Sequence, residues 1–181
     1  MTDTVWTVGH STREVREFLR ILEEGAIELV VDVRRFPGSR RLPHFAQQAL
    51  EEQLQAHGID YRWLPSLGGR RRSATSGAPE SGWRHPAFRA YADYALSEAF
   101  AEGLFELLLL ARGKRVAIMC AEALWWRCHR RIIADVLVSL DIRVMHLMGA
   151  GATAEHALGT PGRLVQGVLS YAPSDVTRNV T

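Results

Sequence analysis

Short apolar runs alternate along the chain with segments whose apolar positions recur every three or four residues. Residues 5–8 read as a strand that ends in Gly9-His10-Ser11-Thr12. Thr12 is expected to cap the helix that follows, in which Val15, Phe18, Leu19 and Leu22 share a face, and Gly25 to end it. Residues 29–33 are a continuous, largely β-branched run, the mark of a strand buried on both faces. A basic loop bracketed by Gly38 and Pro43 leads to a helix over 46–57, stopped by Gly58, and to a third strand over 59–64. Residues 66–86 are rich in Gly, Ser and Arg and read as a long mobile loop, a feature that is often functional. Helix is expected over 88–112, broken near Gly103. The most apolar strand covers 116–120. It is followed by a helix over 128–140, with Ile132, Ile133, Val136 and Leu137 on one face, and by a fifth strand over 143–147. From Gly149 the pattern is Gly-rich and weakly structured until an edge strand over 168–171.

Strands alternating with helices of about 12 residues predict a single three-layer α/β domain over 1–181, Rossmann-like, with a mainly parallel sheet flanked by helices. In such sheets, ligands bind outside the carboxyl ends of the strands. That rule gathers His10 and Ser11, Asp32 to Arg34, and Cys120 to Glu122 at one rim. It also returns the helix start at Cys128-His129-Arg130 to the same place.

Composition narrows the class. With 47% hydrophobic and 23% charged residues, the chain is globular and not disordered. No stretch reaches the roughly 18 apolar residues of a membrane helix, and Met1-Thr2-Asp3 lacks the opening of a signal peptide. A cytoplasmic protein with no membrane partner is expected. The two cysteines fit a reducing compartment, where they serve chemistry or packing. The net charge of +2 hides an asymmetry: from Arg34 to Arg89 there are ten Arg against four acids, so this segment is +6 and the rest −4. The clustering suits an anionic partner.

Candidate chemistry concentrates between Cys120 and Arg131. A cysteine at a strand end and another at a helix N-terminus can face each other across the loop. The positive end of the helix, with His129 and Arg130, would favour thiolate. Glu122 is a candidate general acid or base. The candidate catalytic residues are Glu122, Cys120, Cys128, His129 and His10. The candidate substrate contacts are Ser11, Arg34, Arg70, Arg71, Arg72, Trp125, Trp126 and Arg130. Blander readings stand beside each of these. Both cysteines can be small buried hydrophobes, His10 can be a hydrogen-bonded turn residue, and Asp32 and Arg34 can form an internal ion pair. The loop arginines can be solvated charge over an aromatic core. Adjacent Trp125 and Trp126 cannot both be core in an extended loop, so one is expected to face a ligand. No cofactor is expected. Two Cys with a His could hold zinc, but the interval between the cysteines is not the short knuckle spacing of structural sites.

These motifs resemble the domain of unknown function 488 family (DUF488). The resemblance is carried by Thr7-Val8-Gly9-His10-Ser11-Thr12, by Leu29-Val30-Val31-Asp32-Val33-Arg34 with Pro37 and Ser39, and by Gly58-Ile59-Asp60-Tyr61. It continues through Leu64-Pro65-Ser66-Leu67-Gly68-Gly69, Met119-Cys120-Ala121-Glu122, Cys128-His129-Arg130, Val144-Met145-His146 and Glu155-His156, so that it spans about residues 5–172. It implies a compact α/β fold and a shared polar site, and it names no reaction. Where the family often has Pro or polar residues between the two cysteines, this chain has Trp125-Trp126.

The leading functional expectation is a nucleic-acid- or nucleotide-directed enzyme, hydrolase-like or DNA-repair-like, acting on a base. Its arginines would hold phosphates, a tryptophan would stack on the base, and Glu122 would activate water. One alternative is rhodanese-like sulfur transfer at Cys120, which the carboxylate of Glu122 opposes. Another is a non-catalytic nucleic-acid-binding module.

Overall fold

The computed structural model describes residues 4–72 and 81–173. Residues 73–80 of the expected loop, and the first three residues, lie outside the described ones. Strand β1 (Thr4–Gly9) is followed by α1 (Val15–Glu24), β2 (Leu29–Asp32), α2 (Gln47–Ala56) and β3 (Asp60–Trp63). Helices α3 (Pro86–Tyr94) and α4 (Glu98–Leu110) precede β4 (Val116–Cys120), α5 (Arg130–Ser139) and β5 (Arg143–Gly149). The sheet runs β3-β2-β4-β1-β5, all parallel, and ends in an antiparallel strand, β6 (Ala152–Glu155).

The sheet is the middle of three layers. Helices α1 and α2 bury Phe18, Leu22, Leu50 and Leu54 against Val8, Val30 and Met119 on one face. Helices α3, α4 and α5 bury Tyr91, Leu107, Ile133 and Leu137 against Val5, Val31 and Ile118 on the other. Successive strand residues point to opposite faces, which is why β2 up to Val31 and β4 up to Met119, buried on both faces, are continuously apolar. Strands β1 and β4 are neighbours, yet the chain leaves β1 towards α1 on one face and leaves β4 towards α5 on the other. This divergence opens a crevice at their carboxyl ends.

Four local expectations are corrected. Thr12 does not cap α1: the helix begins at Val15, and Glu14 at the cap position offers no side-chain bond. The long helical segment breaks at residues 95–97, where Ser97 Oγ accepts from Phe100 N, and not at Gly103. Gly103 has another purpose, since a Cβ there would strike the Ser66 side chain. The expected mobile loop is anchored over its described first part: Tyr91 and Tyr94 donate their hydroxyls to the carbonyls of Leu67 and Ser66. Beyond Gly149 the chain supplies β6 and a separate hairpin of β7 (Arg163–Val165) and β8 (Val168–Ser170), so residues 168–170 do not edge the main sheet.

Candidate functional site

The crevice between β1 and β4 is the floor of a cleft of about 800 Å³, lined by His10, Ser11, Arg34, Cys120, Glu122, Cys128 and His129 among others. Its walls exist because backbones can approach closely. His10 N and Ser11 N donate to the carbonyls of Cys120 and Ala121, extending the β1–β4 pairing past the strand ends. Gly9 is required there, since a Cβ would collide with the Glu122 carbonyl. Ser11 (φ 51°) and Arg70 (φ 55°), both lining the cleft, hold left-handed backbone that side chains disfavour.

Cys120 ends β4. Cys128 stands two residues before α5 and accepts at Sγ from the backbone N–H of Arg130 (3.3 Å) and from Arg130 Nε (3.2 Å). Helix α5 thus begins at Arg130, and the sulfur takes the place of a capping oxygen. His129 donates Nε2–H to the Val33 carbonyl at 3.0 Å, because a carbonyl can only accept. Its Nδ1 therefore carries the lone pair, 3.9 Å from Cys120 Sγ. Burial opposes ionisation of Cys128, but the hydrogen bond from the Cys120 thiol and the charge of Arg130 outweigh it and hold the group well below the ordinary thiol range. The hydrogen bond to Cys128, together with burial, pushes Cys120 the other way.

Arg130 is 1% exposed, and each of its three guanidinium nitrogens donates inside the protein. Besides Cys128, it binds Thr7 Oγ1 and the carbonyls of Glu122 and Ala123. It ties the loop after β4 to β1 and α5, a holding role where the sequence suggested a substrate contact. Behind it lies a buried chain of hydrogen bonds with one direction. The Asp135 carboxylate accepts from His156 Nε2 (2.8 Å), so His156 Nδ1 accepts from His146 Nε2 (3.0 Å). His146 Nδ1 then accepts from Thr7 Oγ1 (2.7 Å). Tyr171 closes the far end on Asp135 Oδ2 at 2.8 Å. Burial, with His156 and Arg130 nearby, lowers His146 to about 3.

Several other candidates are also committed internally. Arg34 makes a bidentate pair with Asp32 and donates to His10 and to the Phe45 carbonyl. His10 donates Nδ1–H to the Ser11 carbonyl, accepts from Arg34 at Nε2, stacks on Phe45, and is lowered by burial to about 4. It is a neutral strut with both ring nitrogens occupied. Arg71 binds the carbonyls of Pro65, Ser66 and Gly68 and lies over Tyr94. Arg72 is exposed and lies away from the lining, so Arg70 is the member of that cluster in the cleft. Trp125 stacks on His146 at 4.1 Å, while Trp126 is 40% exposed.

Trp126 lines a second cavity of about 430 Å³ together with His85, Phe88 and Tyr91. The two cavities share Gly69, Arg70, Glu122, Arg127, Cys128 and His129 as a common wall. Glu122 is exposed, and its Oε1 accepts from Leu124 N. Arg35, Phe36, Arg41 and Arg127 are all exposed along the cleft; Arg35 and Arg41 belong to the basic loop clusters read from sequence, whereas Phe36 and Arg127 were not among the candidates. An exposed aromatic inside the basic loop was the available signal for Phe36. Nothing in the pattern marked Arg127 beyond its place beside Cys128. Arg41, Arg70 and Arg127 make no ion pair among the described residues.

Among the described residues, no helix is long and apolar enough to cross a membrane. A family model described as "Domain of unknown function DUF488" matches residues 14–137. No curated protein and no solved structure matches the chain. The matched stretch holds Cys120 to Arg130, while β1 with His10, and the His146–His156 pair, lie outside it.

Proposed function

The chain belongs to the DUF488 family, whose description names no reaction, and on that premise we propose a hydrolytic enzyme acting on a nucleotide or nucleic acid, with a base as the reacting part. One observation carries the reading: an arginine-rimmed cleft and an aromatic-lined pocket meet at a wall that bears Glu122, Cys128 and His129. Arginine forks suit phosphate oxygens, and Arg41, Arg70 and Arg127 are exposed to supply them. Trp126 and Phe88 offer ring faces on which a base could stack, once it has left any duplex. Glu122 would take the proton of an attacking water.

The test is binding of a short single-stranded oligonucleotide at several salt concentrations. Affinity should fall with salt by a log–log slope of about −0.7 per phosphate contacted. Arg127→Glu should weaken binding and flatten the slope, and Glu122→Gln should keep binding while abolishing turnover. Affinity unchanged between low and moderate ionic strength would remove the proposal.

A further inference from the structure

Cys120 Sγ, Cys128 Sγ and one ring nitrogen of His129 lie within 4.8 Å of one another. We propose that these three side chains form a site for a divalent transition-metal ion of the zinc type, with its fourth position open to the cleft.

A ligating imidazole needs one nitrogen free and the other fixed by an outer hydrogen bond. His129 has that arrangement, with Nε2–H on the Val33 carbonyl and Nδ1 turned to the sulfurs. Cys128 Sγ accepts two N–H bonds from Arg130, the outer support that a thiolate ligand uses. Gly69 passes so near the ring that a Cβ there would stand 2.8 Å from Nδ1, so the backbone leaves the imidazole its place.

Spacing in sequence argued against metal because the cysteines are too far apart for a knuckle. The fold removes that objection, since one cysteine ends a strand and the other precedes a helix that returns to the same rim. Two sulfurs and a nitrogen are a soft donor set that suits zinc over calcium or magnesium. Charge also closes. Two thiolates neutralise a divalent ion, and Arg130, with no carboxylate in ion-pairing reach among the described residues, remains to balance an anionic fourth ligand. All three ligands line the cleft, and Cys120 is partly exposed. Three protein ligands plus an open position is the pattern of catalytic zinc, whereas structural sites close with four.

The inference deepens the hydrolytic reading and rests on it for its purpose. Water bound at the open position would lose one proton to the Glu122 carboxylate; the hydroxide oxygen would bond to the electrophilic atom of the substrate, the bond from that atom to the leaving group would break, and Glu122 would return the proton to the departing group.

The experiment is a titration of reduced, metal-free protein with Co²⁺, followed by Zn²⁺. One equivalent of Co²⁺ should bind, giving a sulfur-to-cobalt band in the near ultraviolet and visible bands of tetrahedral intensity, and Zn²⁺ should displace it. Cys120→Ser and Cys128→Ser should each weaken the sulfur band and cut affinity about a hundredfold, and His129→Ala at least about tenfold. Circular dichroism monitors folding. If Cys128→Ser unfolds, Cys120→Ser decides, because its side chain is partly exposed. Zinc should also protect both thiols from iodoacetamide. A folded wild type that takes up neither ion at micromolar concentration overturns the site. So does binding that persists in the double serine variant, or rapid alkylation undiminished by saturating zinc. Arg127→Glu should retain metal uptake while losing oligonucleotide affinity, so the metal site and the substrate reading fail separately.

Discussion

Arg130 Nε donates to Cys128 Sγ at 3.2 Å, and this sulfur is the neighbour best able to carry the negative charge that a buried guanidinium requires. The same side chain holds the Glu122 and Ala123 carbonyls and Thr7 Oγ1, so the loop after β4 depends on its fork as well as its charge. Arg130→Lys keeps the charge and loses the fork. It should cost about 2–3 kcal/mol of unfolding free energy, the range for leaving buried acceptors without their donors. Urea unfolding measures this directly. An Arg130→Lys protein within about 1 kcal/mol of wild type, the scale of an ordinary substitution, would show that the fork does not hold the loop.

Acid should weaken the protein through the chain behind Arg130. His146 is fully buried and neutral, and burial lowers it from 6.5 to about 3. Its folded value is depressed. Its contribution is therefore complete above pH 6.5 and is lost as pH falls towards 3, because the unfolded imidazole takes up a proton that the folded one refuses. His10, lowered to about 4, acts in the same direction. Between these limits, stability should fall by about 1.4 kcal/mol per pH unit for each such proton. His146→Phe keeps a ring against Trp125 and removes one titrating group, so its acid limb should be shallower by about one proton. Denaturant midpoints between pH 7 and 4 provide the comparison. Parallel limbs would assign the acid loss to other groups.

The parallel strands were legible because burial on both faces demands continuous apolar sequence, as in Leu29 to Val33 and Val116 to Met119. Strand β6 was not legible: Ala152–Glu155 lies at an exposed edge, where pairing to β5 decides the conformation and apolar pattern does not. Gly103 misled because a glycine that admits a neighbour looks the same in sequence as one that breaks a helix. The common rim followed from strand order alone, since Gly9 and Cys120 lie side by side at two strand ends. Which arginines were available did not follow. Arg34, Arg71 and Arg130 spend their donors on backbone, on Asp32 or on Cys128, and no one-dimensional pattern records how many donors a fold consumes. Trp125 and Trp126 diverge because the short helical turn Trp125–Arg127 sends one ring onto His146 and leaves the other half open to solvent.

Gly69 offers a test of how tightly the histidine is placed. It is buried, and its backbone is not in the left-handed region, so alanine brings no conformational strain of its own. The added methyl would meet His129 Nδ1 at 2.8 Å, closer than the two atoms can stand, and the ring carbons at a tight 3.1 and 3.2 Å. The ring can yield only by rotating away from the sulfurs or by giving up the Val33 carbonyl. Either movement should lower Co²⁺ affinity by at least about tenfold, as loss of an outer-shell partner does, with global stability changing by no more than about 1–3 kcal/mol, the cost of modest overpacking. Gly69→Ala measured beside Gly38→Ala, a site with nothing within 4 Å of the added carbon, separates crowding of the ring from any general effect of alanine. Unchanged cobalt binding in Gly69→Ala would mean that the imidazole moves freely and that His129 is not held in place as a ligand.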